Sequence, residues 1–412
     1  MQIMSDKAEI VVIGGGPAGL CAAIAAARKL QGAPKRVVLL DSKPQPGAKL
    51  LISGSGQCNF TNALEADEFV KKLGKYGNYL KSAYLNFDNK HLFQLLEEAG
   101  CHGFIREDGK VFPEDFKSQT VLKALLEQLQ HSGAVLSCSS QVTGIAAKPD
   151  GGYQLSLTSG DEMECRKLII ATGGASYPAT GSDGKALKLV KKLGHAVIPF
   201  RPHLCSVNIY DFEDLSPCTG ISVSGVQAKF VTESGTYEAA GDLLITHGGF
   251  SGPLIMDNSH LLKANDEIII NWIPYADELL IDLSKQLPRM NLGNALAVAG
   301  LPHRLLGAIM SSRSIKSYMK MRTFSNKELR DYGSRLMACS YYISQVSGFA
   351  KAMASAGGVS LAEINAKTME SRICPGLFFA GEIMDYALPT GGFNIQMAAS
   401  TGWMAGEHAA GI

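Results

Sequence analysis

Short apolar runs separated by a glycine-containing break mark the beginning of the chain. Residues 9–13 form an apolar run, and a glycine-rich turn and an alanine-rich stretch follow it to about Leu30. A second apolar run covers residues 36–41. This succession predicts a strand, a helix and a second strand, the βαβ unit of a parallel sheet. We therefore expect a Rossmann-like domain at this end of the chain.

The same pattern of apolar strands and a small-residue helix occurs again near the end of the sequence. Residues 376–380 predict a buried strand, and residues 392–408 predict a helix. Another apolar run, residues 167–171, enters Thr172-Gly173-Gly174 and predicts a further strand. Because these distant segments share one pattern, we predict that the α/β Rossmann-like domain is discontinuous.

The middle of the chain follows a different pattern. Prolines flank residues 200–201, and short alternating runs dominate from there to about residue 273, which predicts a β-rich insert. From residue 277 to about 337 the leucine spacing becomes helical. A chain of 412 residues is long enough for two or three domains. The predicted parts are a Rossmann-like domain over 1–197 and 341–412, a β-rich insert over 198–275 and a helical subdomain over 276–340.

Composition narrows the class of protein. A hydrophobic fraction of 46% and a charged fraction of 19% are ordinary for a soluble protein with a sizeable core. Basic residues number 39 and acidic residues 38, so the net charge of +1 favours neither nucleic acid nor an acidic membrane as a partner. No apolar run approaches the ~18 residues of a membrane span. The nine cysteines contain no CxxC pair, which favours free thiols in a reducing compartment and a cytoplasmic location. We expect no metal site.

A phosphate-binding turn follows the first predicted strand. In the fingerprint at residues 14–19, Gly14 permits a tight turn, Gly16 lets a pyrophosphate approach the backbone, and Gly19 allows helix and strand to pack closely. The N-terminus of the following helix presents N–H groups to the phosphates. Asp41 ends the second strand, where a carboxylate can accept hydrogen bonds from ribose hydroxyls. The fingerprint in this frame predicts a dinucleotide cofactor.

Two later segments favour FAD over NAD as that cofactor. The strand of residues 168–174 ends in small residues, as in flavoproteins whose chain crosses near the cofactor. The strand of residues 376–382 ends in Glu382, which we expect to meet the ribityl chain of FAD. Residues 390–396 open the last helix and aim its positive dipole end at the flavin, which favours hydride uptake.

The chain resembles the bacterial flavoproteins that include the 3-dehydro-bile acid reductases and the aminoacetone oxidases. The resemblance covers nearly the whole chain. The motifs that carry it are GGGPAG (14–19), SGSGQCNFTN (53–62), VFP (111–113), ATGGASYP (171–178), THGGFSGP (246–253), TMES (368–371) and GGFNIQ (391–396). It implies a Rossmann-like FAD domain, a β-barrel-like insert and a small helical part.

The predicted FAD contacts come from the turn, the loop after the second strand and the later strand ends. They are Gly14, Gly16, Pro17, Ala18, Gly19, Asp41, Lys43, Lys49, Ser53, Gly54, Cys58, Asn59, Thr61, Val142, Ala171, Thr172, Gly173, Gly381, Glu382, Gly392, Asn394 and Ile395. The lysines either neutralise phosphate or are solvated surface residues. Cys58 is either a redox thiol or a small buried residue beside the flavin. Asn59 and Thr61 are interpreted as hydrogen-bond donors to the flavin edge or the phosphates.

Two residues are candidate proton donors in catalysis. His247 lies in a glycine-rich loop after a predicted strand, where a histidine can reach a ligand and titrate near neutral pH. The alternative is a histidine that stabilises its loop through the backbone. Tyr177 follows the strand that ends at Ala171 and can donate a proton from its hydroxyl. Its alternative role is to pack against the cofactor.

The first functional hypothesis is a reductase. FAD would take a hydride from NAD(P)H and pass it to an activated C=C bond of an enone, such as a steroid or a bile-acid-like substrate, while His247 or Tyr177 supplies the proton. No second dinucleotide fingerprint is present, so NAD(P)H would dock only transiently. We expect the small-molecule substrate to bind between the FAD domain and the insert.

Two other hypotheses remain open from the sequence. One is an amine or aminoketone oxidase that uses oxygen, which shares the fold but differs in the direction of electron flow. The other is a flavoprotein that acts on RNA or serves a protein partner, in which a basic patch among Lys316, Lys320 and Arg322 would contribute. The substrate, the electron donor and the oligomeric state are open.

Overall fold

The computed structural model describes residues 7–31 and 36–411. Their contacts divide the chain into two compact units, Met1–Pro202 with Ala352–Ile412, and His203–Lys351. The first unit is therefore assembled from two separate stretches of sequence, which confirms the predicted discontinuous α/β fold. The predicted division into three parts stays a prediction.

The N-terminal stretch of the first unit alternates strands and helices. Its strands are β1 (Lys7–Ile13), β2 (Val37–Leu40), β3 (Thr61–Asn62), β4 (Gly103–Ile105), β5 (Lys110–Pro113), β6 (Val135–Ser137), β7 (Val142–Ala147), β8 (Tyr153–Leu157), β9 (Glu162–Ile170) and β10 (Val197–His203). Its helices are α1 (Pro17–Lys29), α2 (Ala48–Ile52), α3 (Ala66–Lys72), α4 (Gly77–Asn86), α5 (Asn89–Glu97), α6 (Ser118–Ser132) and α7 (Ala186–Lys192).

The second unit contains most of the remaining elements. Its strands are β11 (Val207–Ile209), β12 (Ser222–Thr232), β13 (Gly235–Ile245), β14 (Gly249–Ser251), β15 (Glu267–Asn271) and β16 (Cys339–Val346). Its helices are α8 (Pro253–Met256), α9 (Ala276–Gln286), α10 (Leu292–Ala295), α11 (His303–Ser312) and α12 (Asn326–Met337). The chain then returns to the first unit with β17 (Ala354–Val359), β18 (Leu377–Phe379) and α13 (Phe393–Ala410).

A mostly parallel sheet forms the centre of the first unit. Across the described residues its strands run in the order β6-β2-β1-β9-β8-β7, and β18 pairs with β9. The pairings of β1 with β2 and β9, of β2 with β6, and of β18 with β9 are parallel. β7 and β8 pair antiparallel, and β8 pairs antiparallel with the first half of β9. The carboxyl ends of the parallel strands therefore meet at one edge of the sheet, the edge where α/β proteins bind their ligands.

The contact between helices α1 and α13 covers this sheet. A side-chain carbon at Gly402 would lie 2.1 Å from the carbonyl oxygen of Ala18, and one at Gly406 would lie 2.2 Å from that of Ala22. Only glycine permits such a close approach of two helix backbones. Small residues on both helices thus hold the last helix against the first, with the middle of α13 beside the start of α1.

The second unit is built on a closed antiparallel barrel. Its strands follow the order β11-β14-β13-β12-β15-β16, and β16 pairs back with β11. A separate apolar core fills the barrel and continues under the helices α9 to α12. The barrel needs β16, so this unit extends to Lys351, beyond the residue 340 at which the sequence-based helical part ends.

One sequence-based detail differs from the structure. The glycine- and serine-rich segment after the second strand was expected to be an extended loop, but it contains α2 and a 3₁₀ turn at Ser53–Gly56. Leu50 of α2 is buried in the main core, and this burial stabilises a short helix that propensity alone does not predict. Within the described part of the chain no helix has the length and hydropathy needed to span a membrane.

Candidate functional site

The candidate site lies where the parallel strands of the first unit end. Gly14 follows β1, and its N–H donates to the carbonyl oxygen of Leu40 at 2.8 Å. Ala171 follows β9, and its N–H donates to Ile13 at 2.9 Å. Ala380 follows β18, and its N–H donates to the last residue of β9 at 3.0 Å. Three sequence-predicted segments that are far apart in the chain are therefore neighbours at one sheet edge.

The glycine turn has the shape that a pyrophosphate requires. Gly14 adopts a φ of 106°, and a side-chain carbon there would lie 2.5 Å from the Ala171 carbonyl oxygen. A side-chain carbon at Gly19 would lie 1.8 Å from the Gly14 carbonyl oxygen, so both positions require glycine. By contrast, apart from the adjoining backbone, no atom of the described residues lies within 4 Å of the corresponding position at Gly16. Pro17 begins α1, whose N-terminus has no side-chain cap. The turn leaves its open face and its helix N-terminus to a ligand.

Asp41 holds the end of β2 beside this turn. Its carboxylate accepts the N–H of Gly15 at 2.7 Å and the N–H of Lys43 at 2.7 Å. Burial raises the pKa of Asp41 above its ordinary value, although the two amides and the nearby Lys43 ammonium lower it. A carboxylate has about four acceptor sites, so two amides leave room for ribose hydroxyls. The Ser140 N–H donates to the Asp41 carbonyl, which places the start of β7 at Val142 close by.

Lys49 and Glu382 form an ion pair that sequence reasoning did not find. The Lys49 ammonium contacts the Glu382 carboxylate and also donates to the hydroxyls of Ser176 at 3.1 Å and Ser182 at 3.3 Å. The two charged side chains are 29% and 18% exposed, so the pair is largely withdrawn from water. Lys49 was expected at a phosphate and Glu382 at the ribityl chain. Both contacts stay predictions, and the structure adds that the two residues neutralise each other.

Tyr177 lies beside this pair in a strained backbone conformation. Its φ of 52° belongs to the left-handed region, which is unusual for a bulky residue. The preceding amides of Ala175 and Ser176 donate to the Ser355 hydroxyl at 2.8 and 3.0 Å and fix this turn. The half-buried Tyr177 hydroxyl is 3.6 Å from the sulfur of Met353, a weak contact. Burial raises the pKa of Tyr177, so its hydroxyl is protonated at neutral pH.

The loop after α2 supplies buried groups rather than a reactive thiol. Cys58 is buried, and burial raises the pKa of its thiol to about 12, so the redox alternative loses its thiolate. The Ser53 hydroxyl donates to the Leu50 carbonyl at 2.7 Å, and Gly54 has a φ of 55° in the adjoining 3₁₀ turn. The Thr61 hydroxyl donates to Gln396 at 2.6 Å inside the protein, so its predicted contact with the flavin would require a second interaction.

The N-terminus of α13 faces the same loop. A side-chain carbon at Gly392 would lie 2.3 Å from the Thr61 carbonyl oxygen, so the two segments are in direct backbone contact. The Asn394 amide donates to the carbonyls of Leu388 at 3.2 Å and Pro389 at 3.1 Å, and Ile395 is partly buried next to it. No side chain caps this helix of 18 residues. A side-chain carbon at Gly381 would lie 2.8 Å from the Cβ of Ala18 in α1, so these two predicted FAD contacts are neighbours.

Two of the predicted FAD contacts have a buried polar atom without a partner. In the described part of the chain the Oδ1 of Asn59 and the Oγ1 of Thr172 are buried without a hydrogen-bond partner. An unsatisfied buried polar atom is costly, and a bound ligand is one way to supply its partner. Together with the open face at Gly16 and the acceptors of Asp41, they are groups to which the phosphate, ribose and ring parts of FAD could bond, so the residues present are compatible with the predicted cofactor.

The other candidate proton donor belongs to the second unit. His247 lies in the turn between β13 and β14, and its side chain is exposed. Within the described residues its imidazole makes no hydrogen bond, so the alternative of a loop-stabilising histidine has no support. Its role in catalysis stays a prediction.

A buried polar cluster of the first unit was also missed by sequence reasoning. The His195 imidazole bonds the Glu363 carboxylate through Nδ1 at 3.0 Å and the Ser371 hydroxyl through Nε2 at 3.0 Å. Ser371 belongs to the TMES motif, which was noticed only as part of a resemblance. Histidine and glutamate 168 residues apart give no local signal that they are partners.

Comparison with known proteins identifies the family. The model of the HI0933-like protein Rossmann domain matches residues 8–408. The chain belongs to this family. It is a family of FAD-dependent oxidoreductases with a Rossmann-type FAD-binding fold. The predicted kinship with aminoacetone oxidases stays a prediction.

Individual relatives of this HI0933-like protein carry two different names. It is 30% identical over 404 residues to a ribosomal RNA dihydrouridine synthase of Escherichia coli, covering 97% of each chain. It is 26% identical over 416 residues to a 3-dehydro-bile acid delta(4,6)-reductase of Clostridium scindens, covering 97% of this chain and 98% of the relative. Among solved structures, a 3-ketosteroid-Δ4-(5α)-dehydrogenase from Rhodococcus jostii has a TM-score of 0.54 at 16% identity, over 100% of this chain and 99% of the other. The last likeness bears on the fold alone.

Proposed function

We propose that this protein uses FAD to reduce a carbon–carbon double bond conjugated to a carbonyl group, and that the bond belongs to a uridine base in RNA. The observation that carries the proposal is the open glycine turn at Gly16 together with the unpartnered buried oxygens of Asn59 and Thr172. The 30% identical relative supports the choice of substrate. It replaces, as our first candidate, the steroid-like enone that we expect from the sequence.

The two relatives' names describe one kind of chemistry. Dihydrouridine differs from uridine by two hydrogens across a double bond that is conjugated to a ring carbonyl. A Δ4,6 double bond of a 3-oxo bile acid is likewise conjugated to a carbonyl. The proposed reaction is therefore shared, whereas the substrate differs in size and charge. The bile-acid relative keeps a small enone as the second candidate.

The chain's own residues would hold the cofactor and its charge. When bound, FAD supplies two-electron hydride chemistry that side chains cannot perform. The open face at Gly16 and the uncapped N-terminus of α1 would bind the pyrophosphate, and Asp41 would accept the ribose hydroxyls. Thr172 and Asn59 would satisfy their buried oxygens on the ligand. The positive end of α13 would stabilise negative charge that develops next to it.

Reduction of the double bond requires a proton as well as a hydride. The hydride adds to the carbon β to the carbonyl, and the neighbouring carbon then takes a proton from a donor. Tyr177 suits this role because its hydroxyl is protonated and makes only a weak contact with the Met353 sulfur. His247 is the alternative donor, and its exposure leaves its ring available. NAD(P)H is the proposed source of the two electrons.

Anaerobic rapid mixing tests the proposal. The purified yellow protein is mixed with NADH or NADPH while its visible flavin band is followed, and the reduced protein is then mixed with unmodified ribosomal RNA or with a 3-oxo-Δ4 steroid. We expect bleaching by one nucleotide, and reoxidation by RNA with a uridine that gains the mass of two hydrogens. Reoxidation by the steroid alone would move the proposal to the second candidate. Fast reoxidation by air with peroxide release, and by neither substrate, would instead favour the oxidase hypothesis.

A further inference from the structure

Two segments of the helical part of the second unit lie side by side as an antiparallel pair, here named the basic ribbon. It consists of residues 288–293 and 317–322. The Leu292 N–H donates to the Met319 carbonyl at 2.9 Å, and the Met321 N–H donates to the Met290 carbonyl at 2.9 Å. A β-bridge joins Asn291 to Lys320. The pairing is therefore defined by backbone hydrogen bonds and does not depend on side-chain placement.

The second segment of the basic ribbon alternates between exposed and buried side chains. Met321 is fully buried, whereas Tyr318 is 74% exposed and Lys320 and Arg322 are exposed. Tyr318 lies in a turn, Lys320 forms the bridge and Arg322 lies in a short 3₁₀ helix over Met321–Thr323, so the three exposed side chains are grouped within five residues of the chain. Two residues away from the bridge, Arg289 lies opposite Arg322, whose N–H donates to the carbonyl of residue 288 at 3.0 Å.

Positive charge is concentrated on this part of the chain, although the whole chain has a net charge of only +1. The stretch from residue 289 to residue 327 contains no Asp or Glu. Its basic residues are Arg289, Arg304, Arg313, Lys316, Lys320, Arg322 and Lys327.

The cations of the basic ribbon are also not neutralised by neighbours. Among the described residues, Arg289, Lys320 and Arg322 form no ion pair with a carboxylate. Other exposed lysines of the same unit do form one, as Lys229 does with Glu238 at 3.2 Å. The ribbon therefore presents uncompensated positive charge to solvent, which suits an anionic partner.

We infer that the basic ribbon binds the backbone and an unpaired base of single-stranded or looped RNA. Arg289, Lys320 and Arg322 would contact phosphates, and arginine suits them because its planar fork matches their oxygens. Tyr318 would stack on a base, an interaction that phosphate-rich lipid surfaces and acidic peptides do not use. This inference rests on the proposed function and names the surface by which its RNA substrate is held.

A charge-matched pair of variants tests the inference. One variant carries Arg289→Gln, Lys320→Gln and Arg322→Gln. The control carries Lys188→Gln, Lys191→Gln and Lys192→Gln, which removes three exposed cations from α7 of the first unit. Binding of a fluorescent oligouridylate to the oxidised protein is measured by anisotropy over a range of salt concentrations. Flavin absorbance and the melting temperature check that each variant folds.

We expect the ribbon variant to bind more weakly and with a shallower salt dependence. Loss of three phosphate contacts reduces the slope of log K against log salt by about 2, since each contact on a single strand contributes about 0.7. The control should keep the slope of the unmodified protein. Equal slopes for both variants would overturn the inference. The loss of three cations would then have the same effect on RNA binding in the basic ribbon as in α7.

A third variant separates stacking from charge. Tyr318→Ala should weaken binding about tenfold at an unchanged salt slope, while Tyr318→Phe should bind like the unmodified protein. Normal RNA binding by Tyr318→Ala would overturn the stacking role. Loss of binding to anionic phospholipid vesicles in the ribbon variant, with RNA binding intact, would assign the surface to membranes instead. Since binding is measured without turnover, it is independent of whether the flavin reduces uridine.

Discussion

At the scale of single residues, the backbone of Tyr177 is unusual. A non-glycine residue in the left-handed region costs about 1–3 kcal/mol, and such residues persist where the surroundings hold them. Here the Ser355 hydroxyl accepts the amides of Ala175 and Ser176, and buried hydrogen bonds of this kind fix the turn just before the ring. The surroundings therefore hold Tyr177 in a fixed backbone conformation, which suits the role of proton donor that we propose for it.

Replacing that hydroxyl gives a direct test. Tyr177→Phe keeps the ring and should slow product formation by about 10²-fold or more, since a positioned proton donor contributes on that order. Flavin reduction by the nucleotide should be unchanged, because that half-reaction does not need this proton. The measurement is single-turnover reoxidation of the reduced protein by substrate.

Tyr342→Phe, at a surface tyrosine of the second unit that is 53% exposed, serves as the control for this substitution. An unchanged reoxidation rate in Tyr177→Phe would transfer the role to His247. The same experiment on His247→Asn then decides between the two candidates.

At the scale of elements, the packing of α13 on α1 fixes the relative positions of two helices whose N-termini have no side-chain cap. Both helices are buried along most of their length, and the glycines of α13 contact the backbone of α1 directly. The carbonyl of Ala18 would lie 2.1 Å from any side-chain carbon at Gly402. A rigid strand or helix displaced by a single methyl group moves every ligand contact that it carries.

Gly402→Ala should therefore weaken both the fold and the flavin site. We expect a loss of about 1–3 kcal/mol in the free energy of unfolding, the usual cost of overpacking, together with a lower FAD content after purification. The control is Gly307→Ala in α11, an exposed helical glycine with no atom within 4 Å of the added carbon. That change should stabilise the protein by up to about 1 kcal/mol, because alanine is the better helix former. Equal stability of the two variants would show that the helix contact tolerates the methyl group.

At the scale of the whole molecule, the discontinuous first unit depends on contacts between its two stretches. The His195 cluster is one of them, since His195 belongs to the first stretch and Glu363 and Ser371 belong to the second. The imidazole side chain has no exposed area. Burial lowers the pKa of His195 below its ordinary 6.5, although the Glu363 carboxylate raises it.

This shift predicts a loss of stability in acid. Below pH 6.5 the unfolded chain takes up a proton on His195 that the folded chain does not bind, so unfolding is favoured as the pH falls towards the folded pKa. The stabilisation is fully present above pH 6.5. His195→Gln should remove this part of the pH dependence, which is at most about 1.4 kcal/mol per pH unit for one proton.

Denaturant unfolding at several pH values measures this effect as the difference between the original protein and the variant. His303→Gln, at an exposed histidine, should leave the pH dependence intact. A difference between His195→Gln and the original protein that does not vary with pH would show that the cluster acts only through packing.

Much of the fold was accessible from the sequence because its signals are local. The turn at Gly14, the strand that enters Ala171 and the helix after Gly392 each follow from spacing within a few residues. The Lys49–Glu382 pair was not accessible, because 333 residues separate its members and each residue was interpreted only through its own contact with the cofactor or with solvent. The pairing in the basic ribbon was missed for the same reason. Lys320 and Arg322 were noted as cations, but their alignment with Arg289 depends on a tertiary hydrogen-bond register.

The contact between α1 and α13 also sets an order on biosynthesis. Chains are made from the N-terminus, and domains generally fold as units while synthesis proceeds. The whole second unit lies in the sequence between these two helices, and its barrel closes with its own strands. The barrel can thus form on the ribosome while the nascent first unit still exposes the face of α1 that Gly402 and Gly406 later cover. The FAD contacts that we predict at Gly381, Gly392 and Asn394 are made only with this last stretch, so we expect the flavin to bind after α13 has been synthesised.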